Sequence, residues 1–409
     1  MLTQNVNPAK SNTTTYLYNL TPLRGIAALL TVIFHLDLLL GMGGNLLVKF
    51  EDSLLISKLY LMVDFFFMMS GFIMFFVYRE WFKNSVRGAS LKQFTIARFA
   101  RVYPLHFFAL LYLIVLRIWF VHSGAPDDPF SASSDTLASI PTNLLLIQSM
   151  NIHNWFSWNN AAWSISTEWW MYILFPFLVK PLLNLKTPGI IVTILVCIAG
   201  YLAIMFYIQQ FVTVPPALSF IQPPKPLPTI NVAYQFGFLR CLFGFILGMV
   251  VYLAYKAGFA KNVFGRSSTF LLLCAGMFTC LHFGVWDVLS VSFFPLIILS
   301  AAYGSISMNR FLGTKAMQRI GDWSFSIYMV HQPILYTTLS VVAYANPAKP
   351  GTVPTPPTML TGWLICIAFI IFTLLIASLT FRFIEVPARM WINHKFSPNH
   401  NLPHVKPVS

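Results

Sequence analysis

The sequence predicts an all-α polytopic membrane protein of about ten transmembrane helices, with both termini on the cytoplasmic side. Three observations carry this expectation. Of 409 residues, 57% are hydrophobic and only 9% charged, far from the balance of a soluble domain. Apolar runs of roughly twenty residues, the length that crosses about 30 Å of hydrocarbon as a helix, recur along the chain. Lysines and arginines fall into short clusters between those runs, so the net charge of +14 resembles that of cytoplasmic loops and gives little weight to nucleic-acid binding.

The elements follow in order. Residues 1–20 form a polar N-terminal segment without the basic stretch, short apolar core and cleavage site of a removable signal peptide. The first span is 22–41, and the second and third, 57–78 and 103–121, flank a basic stretch at 79–101. "SGAPDDPFSASSD", with three acids and no base, leads to a shorter apolar piece, 138–150, expected as a re-entrant or surface helix. The remaining spans are 163–179, 189–211, 232–255, 268–286, 288–307, 320–343 and 359–381, the seventh and eighth nearly abutting. Proline-rich connectors, "TVPPALSFIQPPKPLPT" and "ANPAKPGTVPTPPT", cannot be continuous helix. There is no internal repeat. One membrane domain, 21–391, is thus expected, followed by a disordered cytoplasmic tail, 392–409. With the N-terminus inside, about twenty basic residues lie on the cytoplasmic side against Lys49, Lys58, Lys225 and Lys349 outside. Cys197, Cys241, Cys274, Cys280 and Cys366 have no CxxC pairing or metal-ligand spacing and read as packing residues; no metal is expected.

Ionisable groups at membrane depth are costly and usually functional. At about 1.5 Å rise per residue, His35, Asp64, Glu168, Arg240 and His331 all fall about 17–20 Å from the cytoplasmic edge, one layer slightly outward of the midplane. In the first span Arg24, Ala28, Thr31 and His35 follow i, i+4, i+7, i+11, a single stripe. Ala28 and Thr31 are small, so the stripe is expected to leave room for something slender. Asp37 lies off that stripe and outside the expected site. Ser324, Tyr328 and His331 share a helix face, as do Glu168 and Tyr172. His106 reads as a packed histidine and Arg117 as a structural cation.

The segment "YREWFKNSVRGASLKQFTIARFARVYPLHFF" holds six basic residues and one acid. Arg98 and Arg101, three apart, lie on one side of a helical turn and can grip a polyanion with forked hydrogen bonds. Lipid-headgroup anchoring would use the same charges. An anion site at the inner surface below a buried histidine suits a donor with a phosphate-rich head and a long thin arm, such as acyl-coenzyme A.

Six blocks in order then resemble the integral-membrane acyltransferases of acyltransferase family 3, from Leu20 to about Arg389. They are "LTPLRGIAALLTVIFH" with Arg24 and His35; "DFFFMMSGFIM" with Ser70, Gly71 and Phe72; "IARFARVYPL" with Arg98, Arg101, Tyr103 and Pro104; "WSISTEWWMYILFP" with Trp163, Ser164 and Glu168; "WSFSIYMVHQPI"; and "FRFIEVPAR". Thr21-Pro22 stands where relatives often carry an aspartate and a small residue.

The resemblance implies transfer of an acyl group, acetyl above all, from cytoplasmic acyl-coenzyme A to a hydroxyl of a surface or lipid-linked carbohydrate, in a bacterial inner membrane. No tightly bound cofactor is implied; acetyl-coenzyme A is a co-substrate. Some relatives carry an extracytoplasmic hydrolase-like domain, which is not expected here. The expected donor-binding residues are Arg24, Arg98, Arg101, Ser70 and Tyr103, and His35 is the expected general base or transient acyl acceptor. Glu168 or Asp64 would orient the imidazole, with His331 beside them, and Arg240 or Tyr328 would offset charge on the oxyanion, supported by Ser164 and Trp163. The rival reading is a proton-coupled transporter or flippase, which also uses buried His, Asp and Glu but leaves the Arg98 and Arg101 pair unexplained.

Overall fold

The computed structural model describes residues 17–40, 46–123, 135–213, 228–345 and 357–397, and no strand occurs among them. A helix covers each of the ten expected spans: α1 (Leu20–Leu40), α2 (Met62–Phe82), α3 (Gly88–His122), α5 (Ala162–Leu183), α6 (Thr187–Phe206), α7 (Gly237–Lys256), α9 (Ser267–His282), α10 (Asp287–Tyr303), α13 (Ser324–Ala345) and α14 (Met359–Thr380). Shorter helices fill the connections: α4 (Ser139–Leu144), α8 (Lys261–Phe264), α11 (Ile306–Leu312), α12 (Lys315–Asp322) and α15 (Val386–Phe396).

Among the described residues only six helices are long and apolar enough to cross a membrane, or seven if α10 and α11 count as one span bent by 98°. Two causes separate this from the expected ten. The 16 residues of α9 and 17 of α10 rise only about 24–26 Å, short of the hydrocarbon thickness. The other two, α5 and α13, carry the polar groups of the site, and their apolarity falls accordingly. The bend after α10 occurs at Gly304, where φ is +65°, a conformation that glycine adopts without a Cβ clash.

The tightest packing joins α2 to α7. A Cβ on Gly71 would sit 2.0 Å from the Phe245 carbonyl oxygen, and one on Gly248 1.9 Å from that of Met68. Gly244 and Gly248 make a small-xxx-small face that lets the two backbones touch, which drives association where lipid removes the hydrophobic incentive.

Three boundaries differ from expectation. The basic stretch before the third span is largely helical, because α3 begins at Gly88 and runs 35 residues. Only Ser139–Leu144 of the piece 138–150 is helical, and the chain after it is buried loop. Side chains satisfy that loop: Ser166 and Trp170 donate to the Leu146 carbonyl, and Asn143 donates to Ser157. Non-helical backbone survives at such depth only where protein supplies those partners. Finally, α14 continues through a π-helical turn, Phe381–Glu385, into α15, so helix persists to Phe396 within the expected tail; residues 398–409 lie outside the described residues.

Candidate active site

The two deep histidines meet. His35 on α1 and His331 on α13 lie with Nδ1 and Nε2 3.2 Å apart and ring centroids 4.9 Å apart. His35 Nδ1 is also 3.0 Å from the Thr31 carbonyl oxygen. A carbonyl only accepts, so this nitrogen carries the proton, and His331 Nε2 facing the same N–H is an acceptor. The Nε2 of His35 is left with its lone pair and no hydrogen-bond partner among the described residues. His331 is completely buried and His35 partly exposed.

A cavity of about 120 Å³, open at its mouth, is lined by α1, α2, α3, α5 and α13. Its basic part holds Arg24, Arg98 and Arg101, and its other end reaches Ser164 and Tyr328. Arg24 has no ion-pair partner among the described residues. Arg98 donates to the Tyr78 hydroxyl at 2.8 Å and lies over the rings of Tyr78 and Tyr172, again without a carboxylate. Arg101 is ion-paired with Glu385, whose other oxygen accepts from Ser326 at 2.9 Å. Arg24 and Arg98, neither in a direct ion pair, could seat an anion beside the paired Arg101, although the Glu168 carboxylate borders the same cavity.

Glu168 and Ser70 also border the cavity, joined through Tyr172, which donates to Glu168 at 2.6 Å and lies 3.2 Å from the Ser70 hydroxyl. Tyr328 shares a 2.7 Å hydrogen bond with Ser164, and its ring lies 5.7 Å from that of His331.

Several expected placements are revised. The stripe between Arg24 and His35 is not a channel: Ala28 and Thr31 are both 0% exposed because α1 packs directly on α12 and α13. The cavity runs instead between α2, α5 and α13. Neither Asp64 nor Glu168 touches His35. Asp64 accepts three bonds from Arg240, the closest 2.6 Å, plus one from Tyr201, and both ionic partners are fully buried. Arg240 is further held by the Tyr60 carbonyl and lies over the Trp163 ring, so this pair is a clamp between α2 and α7, away from the cavity. Tyr103 is not in the cavity lining; its hydroxyl donates to the Leu144 carbonyl and its ring stacks on Phe99. Asp37, set aside from sequence, accepts the backbone N–H groups of Leu46 and Leu47. His106 pairs with the Asn143 carbonyl, a packed histidine as expected.

Two acids carry structural roles that their sequence context does not announce. Glu385 lies inside the quoted block "FRFIEVPAR", and its signal was that of a lone acid amid arginines at a membrane edge. Asp287 accepts from Lys58, Tyr60 and Thr229 at 2.6–2.7 Å and ties α10 to the start of α2. No group of three or more metal-ligating side chains occurs among the described residues.

The helical fold thus sets a buried imidazole pair close to a cavity lined by three arginines, one of them ion-paired. The chain belongs to the acyltransferase family whose defining pattern, described as an acyltransferase domain, matches residues 17–382. It is 28% identical to the acyltransferase MdmB of Streptomyces mycarofaciens over 279 residues, 66% of each protein. It is 22% identical to the peptidoglycan O-acetyltransferase OatA of Listeria monocytogenes over 91% of this chain and 56% of that one. Against the O-acetyltransferase OatA of Staphylococcus aureus the identity is 26%, covering 91% and 57%. The chain thus spans 56–66% of the length of these curated relatives. No solved structure matches it.

Proposed function

We propose that this chain is a membrane-bound O-acyltransferase that moves an acetyl group from cytoplasmic acetyl-coenzyme A to a hydroxyl of a surface or lipid-linked carbohydrate in a bacterial inner membrane. The observation that carries this reading is the cavity joining Arg24 and Arg98 to Tyr328, whose ring lies against His331 of the histidine pair. The names of the relatives favour the same chemistry, one of them naming peptidoglycan as acceptor. Clustering of basic residues between spans favours the cytoplasmic side for the cavity mouth.

The donor phosphates sit on Arg24 and Arg98, with Arg101 exchanging Glu385 for phosphate, and the pantetheine arm runs past Ser70 toward Ser164. His35 Nε2 removes the proton of the acceptor hydroxyl as its oxygen attacks the thioester carbonyl. The resulting imidazolium keeps its Nδ1–H on the Thr31 carbonyl and His331 Nε2, which spread its charge as a carboxylate does in a serine triad. Tyr328 and Ser164 hydroxyls stabilise the oxyanion. The C–S bond then breaks, and the thiolate takes the proton back from His35.

Purified protein incubated with acetyl-coenzyme A and permeabilised cell envelopes should release free thiol and label a glycan fraction. A transporter or flippase would give neither, and that result would retire the proposal.

A further inference from the structure

We propose that Phe66 and Tyr328 form a partition between the donor cavity and His35, which keeps the thioester from water activated by that base until the acceptor arrives and restricts the acyl group to a short one. This rests on the acyl-transfer reading above. The inner end of the cavity is built by Phe66, Phe67, Ser164 and Tyr328. Neither His35 nor His331 borders it, although the imidazole of His331 lies against the far side of Tyr328. The edge of Phe66 meets the Tyr328 ring at a centroid distance of 5.7 Å and 68°, and Ser164 holds the phenol hydroxyl at 2.7 Å. The Tyr328 ring, latched by one hydrogen bond, and behind it the His331 imidazole therefore separate the cavity from His35.

The partial exposure of His35 is not exposure to this cavity, so the base is approached from a different direction from the donor. That division has a chemical consequence. With an open connection, His35 would deprotonate water as readily as an acceptor hydroxyl. The water oxygen would attack the acyl carbon, the C–S bond would break, and the thiolate would take the proton from His35, leaving free acid and coenzyme A. A ring that must swing aside suppresses this loss. The same rings fill the space where an acyl chain longer than acetyl would extend, so each added methylene has to displace an aromatic edge.

The test needs no acceptor. Phe66→Ala opens the partition; Phe66→Leu replaces it if it does not elute as a folded, monodisperse species. Acetyl-coenzyme A binding is measured by calorimetry in detergent, and free thiol release is followed with acetyl- and butyryl-coenzyme A. Wild-type protein should bind the donor and release little thiol. The Phe66 variant should raise acceptor-free release, and raise the butyryl-to-acetyl ratio, by at least about tenfold, the lower end of what a methylene is worth in a fitted pocket. Adding His35→Ala should return release to the wild-type level. A folded Phe66 variant that binds acetyl-coenzyme A yet hydrolyses it no faster than wild type would overturn the partition. Wild-type protein that binds no acetyl-coenzyme A would instead overturn the acyl-transfer reading.

Discussion

At His35 the deciding contact is with a carbonyl oxygen. Thr31 fixes the proton on Nδ1, which aims the free Nε2 lone pair outward and leaves His331 as the second acceptor of the same N–H. Losing a hydrogen bond to a charged group costs about 1.5–3 kcal/mol, so His331→Ala should lower kcat by about 10- to 100-fold with little change in donor KM. Equal turnover in that variant would remove His331 from the mechanism. Arg98→Ala should show the reverse split, raising donor KM by about 10- to 100-fold while kcat holds, because the guanidinium binds the phosphates equally before and during reaction. Both histidines and Arg98 were legible in the sequence, since depth and helix face place them. The partners of Asp64 and Glu168 were not. Helical rise gives a residue its height but not the neighbour it turns toward, so the shared layer suggested one cluster where the structure separates the imidazole pair, the Asp64 and Arg240 clamp and the Glu168 and Tyr172 pair.

Between elements, the α2 and α7 contact carries the frame on which the cavity rests. It combines backbone contact at Gly71 and Gly248 with a fully buried ion pair. Removing one member of such a pair strands a charge, so Asp64→Ala should destabilise the protein by about 3–5 kcal/mol, whereas Asp64→Leu with Arg240→Met should recover most of that loss. Thermal unfolding in detergent reads both; a double variant no better than the single one would mean that Arg240 serves some group other than Asp64. The positions of the ten long helices were readable from the apolar runs, although α5, α9, α10 and α13 are too short or too polar to qualify as spans on their own. The extension of α3 to Gly88 was not, because its first turns are polar and carry no span signal. The cavity was also misplaced. Small residues on α1 could equally line a channel or admit close packing, and α12 and α13 occupy that space.

Across the whole molecule, the distribution of lysine and arginine implies that the turns after α5 and α7 face the same side as the cavity mouth. Cysteines introduced at Asn184 and Gly258 of a cysteine-free variant should react with an impermeant thiol reagent only after cells are opened; labelling of either in intact cells would invert the orientation and the side from which the donor enters. The central claim is that the arginine cavity delivers a thioester to His35. Its most direct measurement compares wild-type and His35→Ala protein for acetyl-coenzyme A binding and for acetyl transfer to envelope glycan in the same preparation. The account predicts equal donor affinity and a loss of transfer by about 10²- to 10⁴-fold, the span of general base catalysis. Transfer by folded His35→Ala protein at the wild-type rate would contradict it.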